Sequence, residues 1–274
     1  MRILVLGSSG TIGSSVTKLF SKRGHDVIPW DIKISEDHDL RVPECLDKIL
    51  ETTDFVIFLA FDVGGAKYNV ESYDYIDGNM LLLHNTFASL KKHKKPFIHS
   101  TSTMSNMNHN SYAVLKRLGE LYTFMLGGIN VKLWNVYGNE PVGLKSHVIP
   151  DFIDQALKFD KISIRSNGLE ERMFLHCDDF SNALYSVFEN YDDIDHNNII
   201  DISSESWISI LDIANIIRDI MGNLYNKDIE ITTNNTCVDS HNKRNEPCLD
   251  VIQKYWKPSI TIEQGITDMI LLTK

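Results

Sequence analysis

The 274-residue chain is poor in the features that would place it outside ordinary globular proteins. It has no apolar run of the length a bilayer-crossing helix needs. Its four cysteines (Cys45, Cys177, Cys237, Cys248) show no CxxC spacing and no dense pattern, which argues against a metal site or a disulfide framework. Reduced thiols in a cytoplasmic compartment are the expectation. Basic residues are in deficit, 27 against 37 acidic, for a formal net charge of −10. A surface with that excess repels nucleic-acid backbones, so no nucleic-acid partner is expected, nor a membrane one. Any anionic ligand would need a local basic pocket. The first strand begins beside Met1, which is read as leaving no room for a signal peptide. There is no internal repeat and no low-complexity linker.

What is present is an alternation. Short β-branched runs at residues 3–6, 26–29, 55–59, 97–99 and 131–134 are separated by amphipathic stretches near 12–22, 43–50, 73–92 and 112–126. That order specifies an α/β protein with a doubly wound parallel sheet and helices on both faces. Ligands on such sheets sit outside the carboxyl ends of the strands. Beyond about residue 137 the rhythm loosens. Helices are expected around 148–157, 178–190 and 210–221, with short strands at 162–164, 199–202 and 229–231. The division is a nucleotide-binding domain at 1–140 and a smaller α/β substrate lobe at 141–274, some of whose segments return to the first domain.

Gly7-Ser8-Ser9-Gly10-Thr11-Ile12-Gly13 follows the first strand and opens the first helix. Glycines there permit a tight turn, close approach of backbone to a pyrophosphate, and close helix–strand packing. The helix N-terminus adds N–H groups and the positive end of its dipole. The alternative is a plain strand-to-helix turn. Asp31 ends the second strand eighteen residues after Gly13, where a carboxylate accepts from both ribose hydroxyls of NAD and repels the extra phosphate of NADP. The other reading is a solvated loop acid. NAD is the expected cofactor.

Tyr112-Ala-Val-Leu-Lys116 puts a phenol and an ammonium four residues apart on one helix face. A neighbouring lysine favours phenolate and lowers the tyrosine pKa, which suits acid/base work near neutrality. The strand before it ends in Ser100-Thr101-Ser102-Thr103, whose hydroxyls could bind the substrate oxygen. An exposed tyrosine beside an ordinary Ser/Thr turn is the competing reading.

Together these residues resemble the extended short-chain dehydrogenase/reductases, Rossmann-type enzymes acting on nucleotide-linked sugars, and the resemblance covers almost the whole chain. It implies Ser102, Tyr112 and Lys116 as the catalytic set, with Tyr112 and Lys116 also touching the cofactor. Asp39-Leu40-Arg41 is similar to a segment that contacts adenine, Leu59-Ala60 to a strand end lining the cofactor, and Asn79 to a helix asparagine near the site. Asn135-Val136-Tyr137-Gly138 and Arg172-Met173-Phe174-Leu175-His176-Cys177-Asp178-Asp179 resemble two further signatures, and Trp256-Lys257-Pro258 the C-terminal one. Thr101, Ser102, Asn135, Arg172 and Arg244 are thereby implied for the substrate, a nucleotide-diphosphate sugar, with the arginines on the diphosphate. Either arginine could instead pair with a carboxylate such as Asp179 or Asp250. Within the family, Val63-Gly64-Gly65 and Ser146-His147-Val148-Ile149-Pro150 resemble segments of GDP-fucose synthase and GDP-mannose 3,5-epimerase. That makes His147 a possible second acid/base, or a histidine that merely starts a helix.

The departures are specific. Met104, or Ser102 in a shifted alignment, stands where GDP-fucose synthase keeps a cysteine base. Thr103-Met104 replaces the acidic pair of the dehydratases. Only ten positions separate Ser102 from Tyr112, fewer than the family's usual interval. Asp151 and Asp154 stand where GDP-sugar enzymes tend to carry arginine. The expected activity is NAD-dependent nucleotide-sugar epimerisation through a transient ketone. A keto-sugar reductase and a non-catalytic nucleotide-sugar or dinucleotide-binding protein are the alternatives. A homodimer is expected through the two long helices, from Leu81, Leu82, Phe87, Leu90, Leu115, Leu118, Tyr122 and Phe124.

Overall fold

The computed structural model describes residues 1–64, 68, 71–107, 109–235 and 246–273. Gly65 and Arg244 lie outside them. The first half alternates β1 (Arg2–Leu6), α1 (Thr11–Lys22), β2 (Asp26–Trp30), α2 (Asp47–Leu50), β3 (Phe55–Phe58), α3 (Tyr73–His93), β4 (Phe97–Ser102), α4 (Ser111–Leu126) and β5 (Ile129–Leu133). Then come β6 (Val136–Tyr137), α5 (Val148–Phe159), β7 (Lys161–Ser163), β8 (Glu171–Arg172), β9 (Leu175–His176) and α6 (Cys177–Glu189). The chain ends through β10 (Ile199–Ile202), β11 (Ile208–Ser209), α7 (Ile210–Tyr225), β12 (Glu230–Thr232) and α8 (Ile262–Leu272).

Six strands form one parallel sheet in the order β2-β1-β3-β4-β5-β10. The chain leaves β1 toward one edge and returns at β3 on its other side. The order therefore reverses between β1 and β3, and the crevice for a ligand opens there. Registers Leu6↔Trp30, Leu6↔Phe58 and Ser102↔Leu133 align the carboxyl ends along one edge. Gly7, Asp31, Leu59 and Asn135 all follow that edge.

Strand alternation divides the apolar residues between the two faces. Ile3, Val5, Ile57 and Ile98 pack with Phe20 of α1 and Phe180 and Leu184 of α6. Leu4, Leu6, Val56, Phe58 and Phe97 pack with Leu50, Leu83, Phe87 and Leu115 of α2, α3 and α4. A third core forms where Ile149, Phe152 and Ile153 of α5 meet Ile213 and Ile217 of α7 and Ile266 and Ile270 of α8. Residues 177–202, between those elements in sequence, supply α6 and β10 to the large sheet.

The fold departs from the sequence expectation at several elements. The helix anticipated at 43–50 is confined to Asp47–Leu50, since Glu44 takes a left-handed φ of 61°. The α8 helix has no counterpart among the expected elements, although Thr261 and Gln264 form a capping box at its start. The two-residue ladders β6–β9 and β8–β11 exist through tertiary pairing alone.

Candidate active site

The glycine loop is held by two close approaches. Gly7 has φ +85°, and a Cβ there would lie 2.7 Å from Ala60 Cα; at Gly13 a Cβ would lie 2.0 Å from the Gly7 carbonyl oxygen. Neither position tolerates a side chain, so α1 and the β3 end sit as close to the β1 turn as backbone allows. Gly10 caps α1 without any side-chain hydrogen bond. The first N–H groups of that helix, at Thr11, Ile12 and Gly13, are thus not used by a cap, and an anion fits them. The Asp31 carboxylate accepts from Ser9 N–H at 3.0 Å and Lys33 N–H at 2.9 Å, which fixes it beside the loop. These residues fit a dinucleotide.

Three residues of the anticipated cofactor set are used differently. Asn79 is buried; its Oδ1 accepts from Asp62 N–H at 2.9 Å and its Nδ2 donates to the Asp62 and Tyr75 carbonyls. It shapes the loop after β3, and its amide is committed to backbone. The Leu40 side chain belongs to the core under α3, so a ligand there would meet backbone rather than that side chain. Asp39 is held by a bidentate contact with Arg41, at 2.9 and 2.7 Å, which lowers its pKa.

Ser102, Tyr112 and Lys116 come together at the β4 end. Ser102 Oγ accepts from Met104 N–H at 3.2 Å and lies near enough to the Tyr112 phenol to favour its ionised form. The ten-residue interval is bridged by a 3-10 turn over Thr103–Asn106 and by Asn110, which caps α4 through Ala113 N–H at 2.8 Å. The short segment therefore still brings the phenol to the serine.

Lys116 is buried, with Nζ donating to the Ser100 carbonyl at 3.2 Å and lying 4.0 Å above the Phe61 ring. Burial pulls its pKa down to about 7, with Glu120 opposing. The expectation that Lys116 lowers the tyrosine pKa needs correction. Nζ lies 5.9 Å from the centre of the Tyr112 ring, and burial raises the phenol pKa, with nearby Ser102 pulling the other way. Phe61 was not anticipated; an aromatic two residues past Leu59 was the available signal.

Thr101 does not belong to the substrate face. It is buried, on the opposite side of β4 from Ser100 and Ser102, and its hydroxyl donates to Glu120 at 2.7 Å. Asn135, at a left-handed φ of 41° beyond β5, keeps a buried Nδ2 without a hydrogen-bond partner, a donor suited to a ligand. Arg172 on β8 is half-buried. Among the described residues no carboxylate pairs with its guanidinium, and burial lowers its pKa. The anticipated rival partner, Asp179, instead accepts from Ser259 N–H, Ser259 Oγ and Ile260 N–H, each at 2.8 Å.

His147 is exposed at the start of α5 and bonded through Nδ1 to both oxygens of Glu140 at 3.0 Å, which raises its pKa. Among the described residues no hydrogen bond joins it to Ser102, Tyr112 or Lys116. Nearby, Lys145 pairs with Asp62 and lies 4.3 Å from the Tyr68 ring centre, a bridge between the loops before α5 and after β3 that sequence reading missed. His176, Cys177 and Asp178 bring possible metal-ligand atoms within 4.8 Å of one another. Their polar atoms are engaged in starting α6, where His176 Nδ1 accepts from Asp178 N–H and Asp178 accepts from Ser15 Oγ at 2.6 Å.

Known proteins align with the chain as a whole. The chain is 28% identical over 259 residues to a UDP-N-acetyl-alpha-D-glucosaminuronate decarboxylase of Bacillus cytotoxicus, covering 80% of each chain. It is 25% identical over 301 residues to a GDP-L-fucose synthase of Sinorhizobium fredii, covering 97% of this chain and 93% of that one. The fold superposes with a TM-score of 0.83 on the GDP-mannoheptose C4 reductase of Campylobacter jejuni with NADP bound, at 19% identity over 99% and 98% of the two chains. A family model matches residues 3–203. By that match the chain belongs to the NAD dependent epimerase/dehydratase family.

Proposed function

We propose that the protein is an NAD-using nucleotide-sugar epimerase working at one sugar carbinol through a transient ketone. The observation that carries this reading is the gathering of Ser102 and the Tyr112 phenol at the β4 end, one helical turn from Lys116, whose buried Nζ donates to the Ser100 carbonyl. The backbone at Gly7, Ser9, Gly10, Thr11, Ile12 and Gly13 holds the pyrophosphate, and Leu59 and Ala60 line the adjoining strand end. Asp31 accepts from the adenosine ribose and its charge disfavours a 2′-phosphate. The bound dinucleotide supplies hydride exchange with the carbinol carbon, out and back for an epimerase and one way for a reductase. Lys116 donates to the nicotinamide ribose. Ser102 orients the sugar oxygen, and Tyr112 takes its proton and later returns it. Arg172 faces the diphosphate, for which a guanidinium is geometrically suited, and Asn135 Nδ2 donates to the substrate. Arg244 is proposed for the same diphosphate on sequence alone.

A nucleotide-4-keto-sugar reductase is the second reading, favoured by the similarity to the Campylobacter reductase fold. The similarity to a uronate decarboxylase adds a related outcome, since a ketone at C4 is β to a C6 carboxylate and would labilise it. The described cysteines are all free, which suits a reducing, cytoplasmic setting. A homodimer through α3 and α4 completes the proposal.

The test is incubation of the NAD-loaded protein with UDP- and GDP-linked hexoses and hexuronates, followed by product mass and proton NMR. An epimer of unchanged mass supports the reading. Loss of CO2 from a uronate, or conversion of 4-keto-sugars alone with stoichiometric NADH consumption, would replace it.

A further inference from the structure

One turn beyond Lys116, α4 carries a second buried charge. Residues four apart share a helix face, so Glu120 rises beside Lys116. Its side chain is completely enclosed. Oε1 accepts from Thr101 Oγ1 and Oε2 from Arg117 Nη1, both at 2.7 Å. The Glu120 backbone carbonyl also accepts from Asn130 Nδ2 at 3.2 Å. A carboxylate inside a core is costly even when paired, and packing alone does not call for one. What an acid supplies here and an apolar residue does not is negative charge beside Lys116.

Lys116 has little else to keep its proton. Its Nζ meets one backbone carbonyl and the face of Phe61. From β4, His99 packs against α4, but burial holds it neutral, with a pKa of about 3, and it bonds Asn130 at 3.0 Å. From α4 itself, Tyr112 offers a ring and Arg117 a cation half-exposed to water. Glu120 is the opposite charge acting on Lys116 among the described residues.

We infer that Glu120 is an electrostatic positioning residue, fixed by Thr101 and Arg117, whose charge favours the ammonium form of Lys116 one helical turn away. The inference deepens the proposed function and rests on it for the use made of Lys116. Without that charge the buried amine sheds its proton at lower pH and donates less well to a ribose hydroxyl. Burial drives Lys116 down to about 7, and Glu120 is what opposes a further fall.

The test is a titration of the full-length protein with 13C at the lysine ε carbons, Lys116 being assigned from the Lys116→Arg spectrum. Glu120→Gln should lower the Lys116 midpoint by about one pH unit or more, the usual effect of losing a close opposite charge. Glu120→Asp should restore most of that shift. Arg117→Gln, which removes a cation from the same cluster at the surface, should move the midpoint upward. A structural disturbance would not produce opposite signs. On an identified substrate, the alkaline limb of kcat/KM should move with the midpoint in each variant. An unchanged midpoint in folded Glu120→Gln overturns the inference. If that variant does not fold, a falling midpoint in Arg117→Gln overturns it. The titration needs no substrate, so a midpoint that moves in a protein inactive on every nucleotide sugar condemns the proposed function and leaves the charge relation standing.

Discussion

The Asp31 carboxylate accepts a hydrogen bond from the Ser9 backbone N–H at 3.0 Å, so the end of β2 and the glycine loop after β1 form one unit. The residue proposed to choose between NAD and NADP therefore also shapes the loop proposed to hold the pyrophosphate. Selectivity and affinity can be separated by changing its charge and its acceptor independently.

Asp31→Asn keeps an oxygen for Ser9 and removes the charge. It should narrow the preference for NAD over NADP while NAD binding stays close to that of the wild type. Asp31→Ala loses the acceptor as well and should weaken both. Calorimetric titration of the two cofactors checks this, and tighter NADP than NAD binding by the unaltered protein would contradict it.

Lys116 makes stability depend on pH. Its folded pKa, about 7, lies below the unfolded value of 10.5, so below pH 7 the buried group is charged at full cost. Between pH 7 and 10.5 the unfolded chain binds more protons than the folded one, and the cost fades as pH rises. Lys116→Met should therefore raise the thermal midpoint of the ligand-free protein most at pH 6, with the gain vanishing toward pH 10. Scanning calorimetry across that range reads it. A gain that grew with pH would show that Lys116 is not buried as a cation.

His147 is exposed and tied to Glu140, and neither Met104 nor Ser102, the two candidates for the place of a cysteine base, is a base able to take a proton from carbon. Proton abstraction at carbon needs a base on one sugar face and an acid on the other. Product formed in heavy water should thus carry no deuterium at C3 or C5, and His147→Asn should change turnover only modestly. Rapid incorporation lost in that variant would assign it a direct part in the chemistry.

The exposed apolar residues of α3 and α4 differ from those anticipated for a dimer contact. Phe87, Leu90 and Leu115 are 2–4% exposed and face their own core. The apolar residues left outside are Met80 and Leu81 on α3 with Val114, Leu121 and Met125 on α4, from 42 to 80% exposed. Positions 114, 121 and 125 share one helix face. Sedimentation at micromolar concentration should give a dimer, and Leu121→Asp with Met125→Lys a folded monomer. A wild-type monomer would remove this part of the proposal.

The sequence carried the fold where local chemistry decides it. The β-branched runs of β1 to β5 are bounded by glycine and polar residues, and the Gly7–Gly13 spacing marks the turn that β1 feeds. The placing of Ser102, Tyr112 and Lys116 at the β4 end was legible because residue type and spacing coincide at a strand end. Thr101 was misplaced because the inward face of β4 is set by α4 packing above it, which no local pattern states. The α8 signal was present in Thr261, Gln264 and the apolar spacing of Ile262, Ile266, Met269 and Ile270. The Lys145–Asp62 pair joins residues 83 apart on two loops, which no spacing encodes.

The central claim, hydride exchange with a sugar carbinol under acid/base control by Tyr112, is tested most directly by absorbance at 340 nm. NAD-loaded protein is mixed in a stopped-flow cell with UDP- and GDP-linked sugars. The wild type should show a rise with at least one of them. Tyr112→Phe, with unchanged NAD affinity and thermal midpoint, should show it about 10²–10⁴ times more slowly. An equally fast rise in Tyr112→Phe, or no rise in a wild-type protein that binds both NAD and the nucleotide sugars, would contradict the account.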